Sequence, residues 1–249
     1  MKNYYVLTLF PEMIANAVSE SITGRAIQSG RIHVEPINIR DYTEDRRHGR
    51  VDDYPYGGGA GMLMQAQPIY DCYKALEERI GHRPRVLFMS PQGRTFTQDM
   101  AKELSEEDDL VFLCGHYEGV DERALELLGT ENVSIGDYVL TGGELPALVM
   151  IDTIARLVDG VLNKEESHIV ETFHEDLLEF PQYTRPEEYE GLKVPDILLS
   201  GDHKKVDAWR LEKSIERTKV LRPDLYEKYA SAHPEQPHGK SRKRKSGEA

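Results

Sequence analysis

The chain has 249 residues and a net charge of −13, with 39% hydrophobic and 30% charged residues, 20 glycines and 13 prolines. That is ordinary globular usage for one large or two modest domains, far from the disordered or fibrous extremes. No apolar run approaches the ~18 residues of a membrane span, and the opening MKNYYVL enters a strand-like pattern with no small-residue cleavage site, so neither a membrane anchor nor a secretory signal is expected.

Short apolar runs rich in β-branched and aromatic residues predict strands at Tyr4 to Phe10, Ile32 to Ile39, Arg85 to Ser90, Asp109 to Cys114 and Val133 to Ile135. Between them, Ile69, Cys72, Tyr73, Leu76 and Ile80 fall at helical spacing, as do Leu145, Leu148, Val149, Ile151 and Ile154. Strands alternating with helices imply crossover units and a mostly parallel sheet, hence an α/β domain over residues 1–160. Residues 161–186 lack a strand pattern and carry Pro181 and Pro186, which reads as a connector. A small helical domain is expected over 187–232, with a helix from His203 to Arg222 and a shorter one begun by Pro223. Residues 233–249 lack the apolar content to offset their ordering entropy and are expected to be a disordered basic tail.

The last ten residues hold five cations and one anion, so the other 239 carry −17. Such a body cannot coat nucleic acid by bulk charge, although it leaves room for a local basic stripe. One exists: from Lys204 to Arg222 seven Lys/Arg face three Asp/Glu, with Arg210, Lys213 and Arg217 on one helical face. Trp209 beside them reads as core rather than as a base-stacking platform. The two cysteines, Cys72 and Cys114, are isolated from each other and from any histidine cluster, which removes disulfide frameworks and cysteine zinc sites and fits a reduced cytoplasm. Both read as small buried hydrophobes.

The usual phosphate-binding fingerprints are absent: Gly57-Gly58-Gly59-Ala60-Gly61 follows a polar segment and lacks the G-x-G-x-x-G spacing, and no Walker motif occurs. Instead three predicted strands each end in a glycine turn: SPQG from Ser90, CGHYEG from Cys114 and IGDYVLTGGE from Ile135. In open parallel sheets ligands sit beyond the carboxyl ends of strands, where glycine lets the backbone approach a nucleoside closely.

These turns, spelled SPQG, CGHYEGVDER and SIGDYVLTGGELP, with VDDYPYGGGAGM upstream and LLEFPQYTRP downstream, resemble the bacterial tRNA (guanine-N1)-methyltransferases of the SPOUT class from Leu9 to about Pro223. The resemblance implies a deep trefoil knot around the three turns and an obligate homodimer with active sites at the interface. It implies methyl transfer from S-adenosyl-L-methionine to N1 of guanosine 37 of tRNA, beside the anticodon. The implied donor-binding residues are Ser90, Pro91, Gly115, Tyr117, Gly119, Ile135, Gly136, Asp137, Tyr138, Val139, Leu140, Gly142, Gly143 and Pro146. Glu118 is suited to the cationic end of the donor or to a place near the target base.

Guanine N1 becomes a good nucleophile only as its proton leaves, so a general base and a stabiliser of charge growing toward O6 are both required. By resemblance the stabiliser is Arg156 and the base is Glu171. Here the chain departs from its family: Glu171-Thr172-Phe173 stands where Asp-Ser-Phe is usual, and Asp176 replaces a glycine. The carboxylate is kept but is one methylene longer, which demands a shifted loop or a slower reaction; Asp176 is the alternative carboxylate. Asp52, Gly61, Ser167 and Thr172 match positions near the target guanosine, and Arg210, Lys213 and Arg217 would meet phosphates. Mg2+ dependence is implied as well, with Asp137, Glu118 and Glu171 the acidic candidates. The competing readings are a related knotted enzyme acting on another RNA, and a catalytically impaired RNA-binding protein.

Overall fold

The five apolar runs are the strands of one sheet in the computed structural model of the chain, which describes residues 1–162 and 176–233. β1 (Lys2–Thr8), α1 (Pro11–Val18), α2 (Ser21–Gln28) and β2 (Ile32–Asn38) come first. The two-residue strands β3 (Asp52–Asp53) and β4 (Leu63–Met64) pair antiparallel and bracket the glycine-rich loop. Then follow α3 (Ala66–Ile80), β5 (Arg85–Thr95), α4 (Gln98–Ser105), β6 (Asp109–Leu113), α5 (Glu122–Leu128), β7 (Glu131–Ser134) and α6 (Glu144–Ala155). The large sheet runs β2-β1-β6-β5-β7 with every neighbouring pair parallel.

Successive strand residues point to opposite faces, and helices cover both. Tyr4, Val6, Leu110, Phe112 and Leu87 join one buried cluster with Met150, Ile151 and Ile154 of α6. Tyr5, Leu7, Val111, Leu113 and Phe88 join the other with Ile69, Cys72, Tyr73 and Leu76 of α3. This double burial explains why the strands read as continuous apolar runs. Local signals set the helix ends: the Thr97 hydroxyl accepts from Met100 N–H to start α4, the Asp121 carboxylate accepts from Arg123 N–H to start α5, and Gly81 closes α3 in the left-handed conformation.

The sequence ended β5 at Ser90, whereas the strand resumes. Met89 and Arg94 both lie opposite Val133, so Ser90 to Gly93 is an excursion that leaves the sheet and returns.

The chain divides between Lys164 and Glu165 into two compact units. In the second, an antiparallel hairpin that the sequence did not announce joins β8 (Glu188–Tyr189) to β9 (Leu192–Lys193). The helices are α7 (Asp196–Leu199), α8 (His203–Leu221), capped by the Asp202 side chain accepting from Lys205 N–H, and α9 (Pro223–Ala232) with its proline in the first turn. No helix among the described residues is long and apolar enough to cross a membrane.

Candidate functional site

The three glycine turns meet in one cleft of about 380 Å³. Ser90 and Pro91 come from the β5 excursion, Gly115, Tyr117, Glu118 and Gly119 from the segment after β6, and Ile135, Gly136, Tyr138, Val139, Leu140, Gly142, Gly143 and Pro146 from the segment after β7. The second and third segments emerge at the carboxyl ends of β6 and β7, and the first leaves β5 at the same edge before the strand resumes at Arg94; such edges of parallel sheets hold ligands. Asp137 is the exception among the expected donor residues: it is exposed and does not line the cleft.

The walls are held by backbone bonds. Gly143 N–H donates to the Gly115 carbonyl at 3.0 Å, which ties the second turn to the third. The Ser134 hydroxyl accepts from Gly136 N–H at 3.1 Å and donates to its carbonyl at 3.0 Å. Tyr138 and Val139 are exposed, 54% and 84%, so the cleft presents apolar surface to solvent.

The glycine-rich loop joins this rim. Glu118 N–H donates to Met62 O at 3.0 Å and Met64 N–H to Gly119 O at 2.9 Å. Gly61 lies directly against the Glu118 side chain, leaving no room for a Cβ. Asp52 is half-buried in β3, its carbonyl accepting from Arg50 Nε, and does not line the cleft. A second depression of about 930 Å³ flanks the loop, lined in part by Arg50, Tyr54, Tyr56, Tyr70 and Arg123. The exposed Tyr54 and Tyr56 were not singled out from sequence; two aromatics beside a glycine run were the available signal.

The family described as tRNA (guanine-1)-methyltransferase TrmD matches residues 1–228. The chain belongs to this family. Among curated relatives named tRNA (guanine-N(1)-)-methyltransferase, that of Lachnospira eligens is 62% identical over 231 residues, covering 93% of this chain and 98% of the relative. Those of Clostridioides difficile and Ruminiclostridium cellulolyticum are each 54% identical, covering 90% of this chain and 97% and 95% of the relatives.

Of the reaction residues expected in a tRNA (guanine-1)-methyltransferase, Glu118 is at the cleft, while Glu171, Ser167 and Thr172 lie outside the described residues, as do residues 234–249. Arg156 follows the last residue of α6, half-buried, and does not line the cleft. The N-terminus of α6 is at the cleft and the helix has 12 residues, so Arg156 stands about 18 Å farther along its axis. Burial pushes the thiols of Cys72 and Cys114 up, the Glu144 carboxylate adding to the effect on Cys114, so both behave as core hydrophobes.

In the second unit the stripe is partly engaged. Arg210 lies 4.9 Å from the Phe180 ring centroid, Lys213 Nζ pairs with Glu216 at 2.6 Å, and Arg217 donates to the Glu179 carbonyl at 3.0 Å. Trp209 is half-buried with its ring 6.5 Å from that of Tyr183. For Mg2+, the described residues bring no three carboxylate, imidazole or thiol donors together. Of the acidic candidates, Glu118 lines the cleft, Asp137 does not, and Glu171 lies outside the described residues.

Proposed function

We propose that the chain transfers a methyl group from S-adenosyl-L-methionine to N1 of guanosine 37 of tRNA, in the cytoplasm, as a homodimer of knotted chains. The observation that carries the reading is the convergence of three glycine turns in one cleft at the sheet's carboxyl edge, in a chain of the tRNA (guanine-1)-methyltransferase family. The donor fits that cleft by its chemistry: exposed apolar surface for adenine, close backbone for ribose, and Glu118 for the cationic end. When bound, it supplies an electrophilic methyl on a sulfonium sulfur.

The rest is the chain's work. The Glu171 carboxylate takes the N1 proton as the N1 electron pair forms the new bond to carbon and the carbon–sulfur bond breaks. Arg156 donates to O6, where negative charge gathers. Within one chain Arg156 stands too far along α6 to reach the cleft beside Gly143, so a twofold partner must deliver it. Half-exposed Phe10, Met13, Leu145 and Val149, on or beside the packed helices α1 and α6, are an apolar surface suited to that pairing. Two close backbone approaches support the knot: Gly93 against the backbone of Asn132 and Val133, and Gly143 against that of Cys114 and Gly115. The helical domain would meet tRNA phosphates through Arg210, Lys213 and Arg217, whose exposed pairings are worth only about 0–1 kcal/mol and yield to phosphate.

The test is incubation of the protein with isotope-labelled donor and a tRNA carrying guanosine at positions 36 and 37, then nuclease digestion and mass spectrometry. One labelled methyl on N1 of residue 37 is expected, lost when that residue is adenosine. Label at another base or in another RNA, or none, overturns the reading. Glu171→Gln should lower kcat about a hundredfold or more with donor KM little changed. An unchanged rate would remove Glu171 as base.

A further inference from the structure

We propose that His116 is a positioning residue for the donor cleft, its imidazole clasping the buried Glu144 carboxylate and thereby fixing the 115–119 turn against the 142–144 turn. The inference rests on the reading of the cleft as the S-adenosyl-L-methionine site.

Glu144 opens α6 and is 2% exposed. A carboxylate so buried needs a hydrogen-bond partner for each oxygen. The Thr8 hydroxyl donates to Oε1 at 2.6 Å, and His116 Nε2 lies 2.7 Å from Oε2. With the carboxylate ionised, Nε2 carries the bridging proton.

Three elements converge on this one side chain. Thr8 ends β1 and its hydroxyl also accepts from Phe10 N–H at 2.9 Å, while the Phe10 ring sits 4.8 Å from the imidazole. His116 belongs to the turn after β6, and its backbone N–H donates to Met64 Sδ of β4 at 3.2 Å. Glu144 opens α6 directly after the turn that follows β7, where Gly142 packs against the imidazole edge without room for a Cβ. Because Nε2 is committed to Glu144, His116 acts through the spacing of the two turns and not by donating from that nitrogen to a ligand. Without the imidazole, Glu144 keeps the Thr8 hydroxyl but loses the contact to the 115–119 turn, and among the described residues the Gly143 to Gly115 backbone bond still ties the two turns together.

Calorimetric titration with S-adenosylhomocysteine tests this on the full chain. Wild-type protein must bind; absence of binding there overturns the cleft reading and the clasp with it, whereas the variants test the clasp alone. Glutamine places its amide nitrogen where Nε2 stands, whereas asparagine stops short. His116→Asn should therefore raise the dissociation constant about tenfold or more, and His116→Gln should keep it within about threefold of wild type. Thr8→Val removes the other donor from the same carboxylate and serves as the stability control, expected to lower Tm while leaving donor affinity within about threefold. In turnover, His116→Asn should raise donor KM and spare kcat at saturation. The proposal is overturned if His116→Asn binds like wild type, if His116→Gln fails to recover binding, or if Thr8→Val weakens binding in step with its loss of Tm.

Discussion

At Gly143 the backbone of another turn occupies the place where a side chain would begin: a Cβ there would lie 2.6 Å from Cys114 Cα and 2.9 Å from Gly115 N. Backbone atoms in a packed sheet cannot give way cheaply, so Gly143→Ala should cost about 1–3 kcal/mol in urea unfolding and weaken binding of S-adenosylhomocysteine by calorimetry. Arg156→Lys keeps the charge but loses the planar fork, and kcat should fall about tenfold to a hundredfold with tRNA KM nearly constant in steady-state assays. The glycines and their neighbours were legible in sequence because each turn is spelled contiguously after a strand. The pairing of His116 with Glu144 was not, since 28 residues separate them and nothing in the local spacing of either announces a buried carboxylate. Asp137 sits inside the same contiguous motif, yet it is exposed and does not line the cleft.

Among the elements, the edge pairing of β5 with β7 is fastened by Arg85, which reaches Glu131 at 2.6 Å and Glu103 of α4 at 2.7 Å. The guanidinium holds the Glu131 carboxyl below its ordinary value of 4.5. A depressed carboxyl contributes stability that is present above its unfolded value and lost as pH falls through the folded one. Unfolding free energy should therefore decline as pH drops below about 4.5, and Arg85→Met should flatten that acid limb. For so exposed a pair the difference is about 0.2–1 kcal/mol, measurable by urea titration at pH 3 to 7. The helices and the first stretch of each strand followed from apolar period and caps. The return of β5 after Gly93 did not, because Arg94 and Thr95 form no apolar run and their place beside β7 is set by partners 39 residues on, Val133 and Ser134. The β8–β9 hairpin was hidden likewise: its loop residues Glu190 and Gly191 both adopt positive φ, 52° and 80°, and glutamate gives no signal for that conformation.

For the whole molecule, a parallel sheet with helices on both faces was readable from strand and helix alternation, whereas the proposed knot concerns how distant segments thread and has no local period to be read. The acidic body makes docking of tRNA depend on few cations. The slope of log affinity against log salt in filter binding should fall by about 1.5 in a Lys213→Gln, Arg217→Gln double variant; an unchanged slope would place the phosphates elsewhere. Pairing through α6 predicts that Val149→Asp yields a monomer by sedimentation, with methyl transfer lost because Arg156 then serves no partner's cleft. In the proposed function the three turns at the sheet's carboxyl edge hold the methyl donor. Amide hydrogen exchange with and without S-adenosylhomocysteine tests it most directly. Slowed exchange concentrated at residues 89–92, 115–119 and 135–143 is the predicted result, and no protection there, or protection confined to another surface, would contradict it.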